Sequence, residues 1–153
     1  MIAPSSLRLE YYFVQELSFS ALLDHANCEE ATKSKFLNLE SNEVEVKSEF
    51  AEAEGNPLQH RIVMTIIGKK ENNPLPFKLC LHGYFSLSEE FAKNKNARDI
   101  LCVNGGSILY TAARELLLTI TSRGPFGPIF LPTVRLLGKN DDIKAIEETP
   151  KKQ

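Results

Sequence analysis

Four stretches of this chain alternate apolar and polar residues with a period of two, and three of them are separated by little more than a turn. Leu7, Leu9, Tyr11, Phe13, Leu17 and Phe19 fall on one side of the first stretch, and Arg8, Glu10, Glu16 and Ser18 on the other. Successive side chains of a strand point to opposite faces, so this pattern predicts a strand with one buried face. Alternation returns at Val44, Val46 and Phe50, again at Ile62, Met64 and Ile66, and once more from Leu75 through Phe77, Leu79, Leu81 and Phe85 to Leu87. The joints Glu54-Gly-Asn-Pro57 and Glu71-Asn-Asn-Pro74 carry residues that supply turn dihedrals and stop a ladder, so these three strands form an antiparallel meander. Residues Ser20 to Asn42 are mixed and polar, too long for a hairpin, and form a crossover connection that brings the first strand into the same sheet.

One apolar sheet face needs a cover. From Gly105 to Arg123, Leu109, Ala112, Ala113, Leu116, Leu117 and Ile120 follow the i, i+3, i+4 spacing of an amphipathic helix. The expected fold is therefore α+β, a four-stranded antiparallel sheet with a long crossover connection after strand 1 and a long helix packed on the sheet. A chain of 153 residues is one domain's worth. It is assigned to residues 1–138, with 139–153 as a polar tail that forms a short helix through Ile143 and Ile146 or frays into solvent.

The outward side of that helix is unusually apolar. Between Ser107 and Ser122 its charges are Arg114 and Glu115, while Ile108, Thr111, Leu118 and Thr119 occupy the side that should meet water. These four and Ser122 are expected at a contact with another subunit, since closed symmetric oligomers are the common way to cover such a surface.

Composition excludes several classes. A formal net charge of -2 provides no basic field for nucleic acid. The N-terminal residues lack a signal-peptide pattern and no apolar window is long enough to span a bilayer, so the expected location is cytoplasmic. Cys28, Cys80 and Cys102 have no knuckle spacing, and His25, His60 and His82 lie far apart. They are read as structural, with no metal site and no cofactor. No nucleophile elbow or paired-carboxylate spacing singles out a catalytic group, so the chain is not expected to be an enzyme. Ile100-Leu-Cys-Val-Asn-Gly-Gly-Ser107 has the outline of a strand, a glycine turn and a helix start, a place where backbone N–H groups can cradle a phosphate. A plain turn and N-cap explain the same residues, and a nucleotide-binding domain built on Asn104 to Ser107 is kept as the reading from another class.

The stretch SILYTAARELLLTITSRGPFGPIFLPTV, residues 107–134, resembles the closing segment of the SecB family of bacterial export chaperones. QELSF at 15–19 is similar to the end of that family's first strand, and GYFSL at 83–87 to the end of its fourth. The resemblance implies the same sheet and helix, assembled as a homotetrameric dimer of dimers through the helices. It implies an ATP-independent holdase that binds unfolded preproteins in apolar grooves and keeps them competent for the Sec pathway. The implied client-binding residues are Phe36 in the connector, Leu75 and Phe77 in the fourth strand, and Phe126, Ile129, Phe130 and Leu131 in the strip SRGPFGPIFLP, which its prolines and glycines should keep from pairing as a strand and hold at a surface. The family's acidic docking surface for the motor SecA falls on Glu16, Ser20 and Lys78, of which Glu16 alone is acidic. A SecB-like chaperone dedicated to one partner, such as the antitoxin of a toxin-antitoxin system, is the alternative.

Overall fold

The computed structural model describes residues 5–21, 37–69 and 75–137. Strands β1 (Leu7–Phe19), β3 (Val44–Ala53), β4 (Asn56–Gly68) and β5 (Phe77–Leu87) form one antiparallel sheet in the order β1-β5-β4-β3. The meander is as the turns imply, and β1 joins it beside β5. Between β3 and β4 the chain reverses at Glu54-Gly55, where Gly55 takes φ 74°, a conformation that side chains with a Cβ resist. A short helix, α1 (Glu89–Ala92), leads into the long helix α2 (Ala97–Thr121), and a two-residue strand β6 (Ile129–Phe130) pairs in parallel with β2 (Leu37–Asn38).

The sequence places β1 correctly but not all of its side chains. Its register against β5 slips between Leu9 and Tyr11 and again between Val14 and Glu16. Each β-bulge adds a residue to one strand and moves the side chains beyond it to the other face. Leu7, Leu9, Tyr12, Val14, Leu17 and Phe19 stand opposite Leu87, Phe85, Gly83, Leu81, Leu79 and Phe77, the β5 face that α2 covers. Tyr11 and Phe13 stand opposite Tyr84 and His82 on the open face, not on the core face that strict alternation assigns them.

Helix α2 corrects a second expectation. It is 25 residues long and begins at Ala97, so Asn104-Gly-Gly-Ser107 lies inside it and forms neither a turn nor a helix start. The glycines are there for closeness. A Cβ on Gly105 would stand 2.6 Å from Ile62 Cδ1, and one on Gly106 would stand 2.6 Å from Leu136 Cδ1. The phosphate-cradle geometry is therefore absent, because interior helical N–H groups are already bonded within the helix.

The core lies between α2 and the sheet. Ile62, Met64 and Ile66 of β4 and Leu79, Leu81 and Phe85 of β5 are fully buried against Leu101, Leu109 and Leu117 of α2. The segment after α2 closes one side. Thr121 is its pin: the buried hydroxyl donates to Leu117 O at 2.6 Å and accepts from the Ile129 N–H at 2.8 Å. Replacing Thr121 with valine keeps the shape but leaves that N–H without an acceptor, which costs about 1–3 kcal/mol. Urea denaturation checks this; an unchanged midpoint would contradict the assignment.

Tyr110 anchors the segment further on, its hydroxyl donating to Pro132 O at 2.7 Å. Burial raises its pKa to about 12, with Arg114 opposing weakly. A phenol raised above its unfolded value of about 10 stabilises the fold below that pH and loses its contribution as pH climbs toward 12. The parent should lose more stability than Tyr110→Phe between pH 10 and 12, read from urea midpoints.

Candidate functional site

The two bulges create the most distinctive exposed surface. Tyr11 stacks on Tyr84 with ring centroids 4.6 Å apart and planes 10° off parallel. Phe13 stacks on His82 at 4.8 Å and reaches Tyr84 diagonally at 6.1 Å. Cross-strand aromatic pairs of this kind hold one another in place. Yet the rings remain open to solvent, Tyr11 at 56% and Phe13 at 43% relative exposure. An open trough of about 750 Å³ runs beside them, lined by Tyr11, Tyr84, Glu10, Gln59, Arg61 and Ala51 among others.

Several polar groups around these rings pair with one another, although the buried Nδ1 of His82 has no hydrogen-bond partner among the described residues. Gln15 Oε1 accepts from the Cys80 thiol at 3.4 Å and from His82 Nε2. Glu10 accepts from the Ser86 hydroxyl and pairs with Arg8 at 3.1 Å. The Ser86 bond foremost, with Arg8 adding to it, holds the Glu10 carboxyl below the usual carboxylate range against the opposing effect of desolvation, which exceeds either Arg8 contribution. What is left over is apolar ring surface, suited to a partner that brings apolar groups and no fixed charge pattern.

Sequence reasoning missed this patch because it read residues 7–19 as a strict alternation. The signal was present. Tyr11-Tyr12-Phe13-Val14 is apolar at four successive positions, which a strand with only one apolar face does not produce.

The strip 122–132 is placed differently from expectation. Phe126 is 4% exposed, and Ile129 and Leu131 are buried with it in the core. Leu75 and Phe77 are buried as well. Phe130 alone of the strip's four apolar residues is exposed, at 38%. Prolines and glycines do not prevent pairing at Ile129 and Phe130, because two residues suffice to bond Leu37 and Asn38, and the pleat turns Ile129 inward and Phe130 outward. Phe36 lies outside the described residues.

On α2, Ile108, Thr111, Thr119 and Ser122 are exposed and Leu118 is half-buried, all on the outward side. Thr111 and Leu118 meet Phe130 around a small recess of about 180 Å³. Glu16, Ser20 and Lys78 come together at the far end of β1. However, Lys78 Nζ pairs with Glu16 at 2.8 Å, and that contact raises the Lys78 pKa. The Ser20 N–H donates to Pro76 O at 3.3 Å. These three positions form a neutralised corner and not an acidic one.

Cys80 and Cys102 are free and buried, and burial pushes the Cys102 thiol up. Among the described residues no group of three or more His, Cys, Asp or Glu could hold a metal, and no helix is long and apolar enough to cross a membrane.

Among solved structures, the chain is similar to the Mycobacterium tuberculosis SecB-like chaperone Rv1957, solved in complex with a ChAD peptide from the Rv1956 HigA1 antitoxin. The TM-score is 0.58 at 9% identity, over 82% of this chain and 86% of that one. The fold is SecB-like. The chain is also similar to a protein of unknown function from Streptococcus agalactiae, at TM-score 0.50 and 12% identity, over 82% of this chain and 95% of that one. No family model matches the chain, and no curated protein matches it. The SecB-like architecture thus persists here at a sequence distance where side-chain roles have to be read from this structure itself.

Proposed function

We propose that this chain is an ATP-independent chaperone that holds polypeptide segments unfolded and extended. The observation that carries this reading is the pair of solvent-exposed rings Tyr11 and Phe13, stacked over the half-buried Tyr84 on the open face of a SecB-like sheet. Non-directional burial at about 25 cal/mol per Å² favours any unfolded segment that offers apolar side chains, and folded proteins hide theirs. Phe130, exposed beside α2, extends the apolar surface on another side of the molecule.

A dedicated partner, of the kind an antitoxin provides, is favoured over delivery of preproteins to SecA. Two observations support that preference: the Glu16–Lys78 pair removes negative charge where SecA docking needs it, and the SecB-like neighbour was captured with an antitoxin peptide. A homo-oligomer, a dimer of dimers, completes the proposal. Its contacts use the outward side of α2 at Ile108, Thr111, Leu118, Thr119 and Ser122, together with the exposed edge of β1 at Tyr12 and Val14. Suppression of aggregation tests the function: substoichiometric to equimolar protein should keep a heat-unfolded enzyme in solution without nucleotide. No change in light scattering at equimolar ratio would reject it.

A further inference from the structure

On the side of the sheet that carries the helices, away from the aromatic patch, a recess of about 330 Å³ opens between the end of the β3–β4 hairpin and the α1–α2 segment. Its floor is apolar, with Phe50, Leu87 and Leu101 among the lining residues. Its lining also carries two permanent cations, Lys95 and Arg98, against the one carboxylate of Glu52, while Arg61 borders it from a strand position that stands opposite Tyr84 and so belongs to the aromatic face. The ion pairs among the described residues are Arg8–Glu10, Lys47–Glu45 and Lys78–Glu16, so neither Lys95 nor Arg98 has a carboxylate within salt-bridge distance there. A locally positive rim on a chain of net charge -2 is a specific charge pattern.

The neighbouring backbone selects the kind of occupant. Phe50, Ala51 and Glu52 belong to β3, the outer strand of the sheet on that side. An edge strand presents a row of N–H and C=O groups that an extended chain can pair with, while alternate side chains of that chain enter pockets beside it. We propose that the β3 edge and this recess are a docking site for an extended acidic peptide. Its backbone adds to β3, an apolar side chain fills the recess, and its carboxylates face Lys95 and Arg98.

The inference rests on the chaperone reading only in taking a polypeptide as the occupant. The two fail separately, because aggregation suppression reports that reading and charge preference reports this site.

The test uses the full chain and three fluorescently labelled twelve-residue peptides: alternating leucine and glutamate, alternating leucine and lysine, and alternating serine and glutamate. By anisotropy at low salt, the leucine–glutamate peptide should bind about tenfold tighter than the leucine–lysine peptide, the size expected of a few exposed charge contacts. It should also bind at least tenfold tighter than the serine–glutamate peptide, which has nothing to fill the recess. Lys95→Glu combined with Arg98→Glu should invert the charge preference, and gain of lysine-peptide binding shows that this variant is folded. Arg123→Glu, at the other end of α2, should leave the preference as in the parent. Equal binding of the two leucine peptides, no inversion in the double variant, or equal binding of the two glutamate peptides would each overturn the proposal, the last by reducing the site to one for simple anions.

Discussion

Truncating Leu109 to alanine lowers the free energy of unfolding by about 2–5 kcal/mol, toward the upper end of that range. Leu109 is fully buried with its side chain packed onto the backbone of β5: a Cβ on Gly83 would stand 2.6 Å from Leu109 Cδ2 and 2.9 Å from its Cδ1. Strand backbone on one side and helix backbone on the other leave the site little freedom to collapse, so most of the void persists. A domain of this size has about 5–15 kcal/mol in total, so the loss is a large part of its stability. The same geometry predicts coupling. Gly83→Ala forces a methyl into the Leu109 side chain in the parent, but fills part of the void in Leu109→Ala, so the second substitution should be milder in the variant than in the parent. Additive urea-denaturation energies would show that the two residues do not share this space.

Replacing Tyr11 and Phe13 together with threonine removes the aromatic patch and keeps residues that favour strands. Both rings are largely exposed on the face away from α2, so the fold should survive with a midpoint close to the parent's. Affinity for an unfolded polypeptide should fall by on the order of tenfold. The lost apolar contact would support more than that at about 25 cal/mol per Å², and the ordering of a flexible client offsets part of it. Titration of a labelled, permanently unfolded polypeptide reads the change. Binding equal to the parent's would move client contact to another surface, Phe130 first.

Much of the architecture was legible in the sequence, and the failures share a cause. Three strands and their meander follow from alternation interrupted by Gly, Asn and Pro, and Leu109, Ala113 and Leu117 mark the inward side of α2 as their spacing implies. Helix and sheet were legible because each periodic signal is local. The bulges in β1 were not, because a bulge is a property of two strands in register and leaves only the run Tyr11–Val14 as its trace. Gly105-Gly106 read as punctuation because the reason for the two glycines, contact with Ile62 and Leu136, lies far away in sequence. The strip at 122–132 showed the right apolar residues on the wrong side. Its burial depends on Thr121 capturing the Ile129 N–H and on Leu37–Asn38 lying alongside, and neither is visible in local composition.

The most direct test of the chaperone account is the mass of the protein by light scattering on a sizing column, alone and mixed with a permanently unfolded polypeptide, with the folded form of that polypeptide as control. A homo-oligomer that co-elutes with the unfolded form and not with the folded one is the predicted result. A protein whose mass is unchanged by both forms would contradict it.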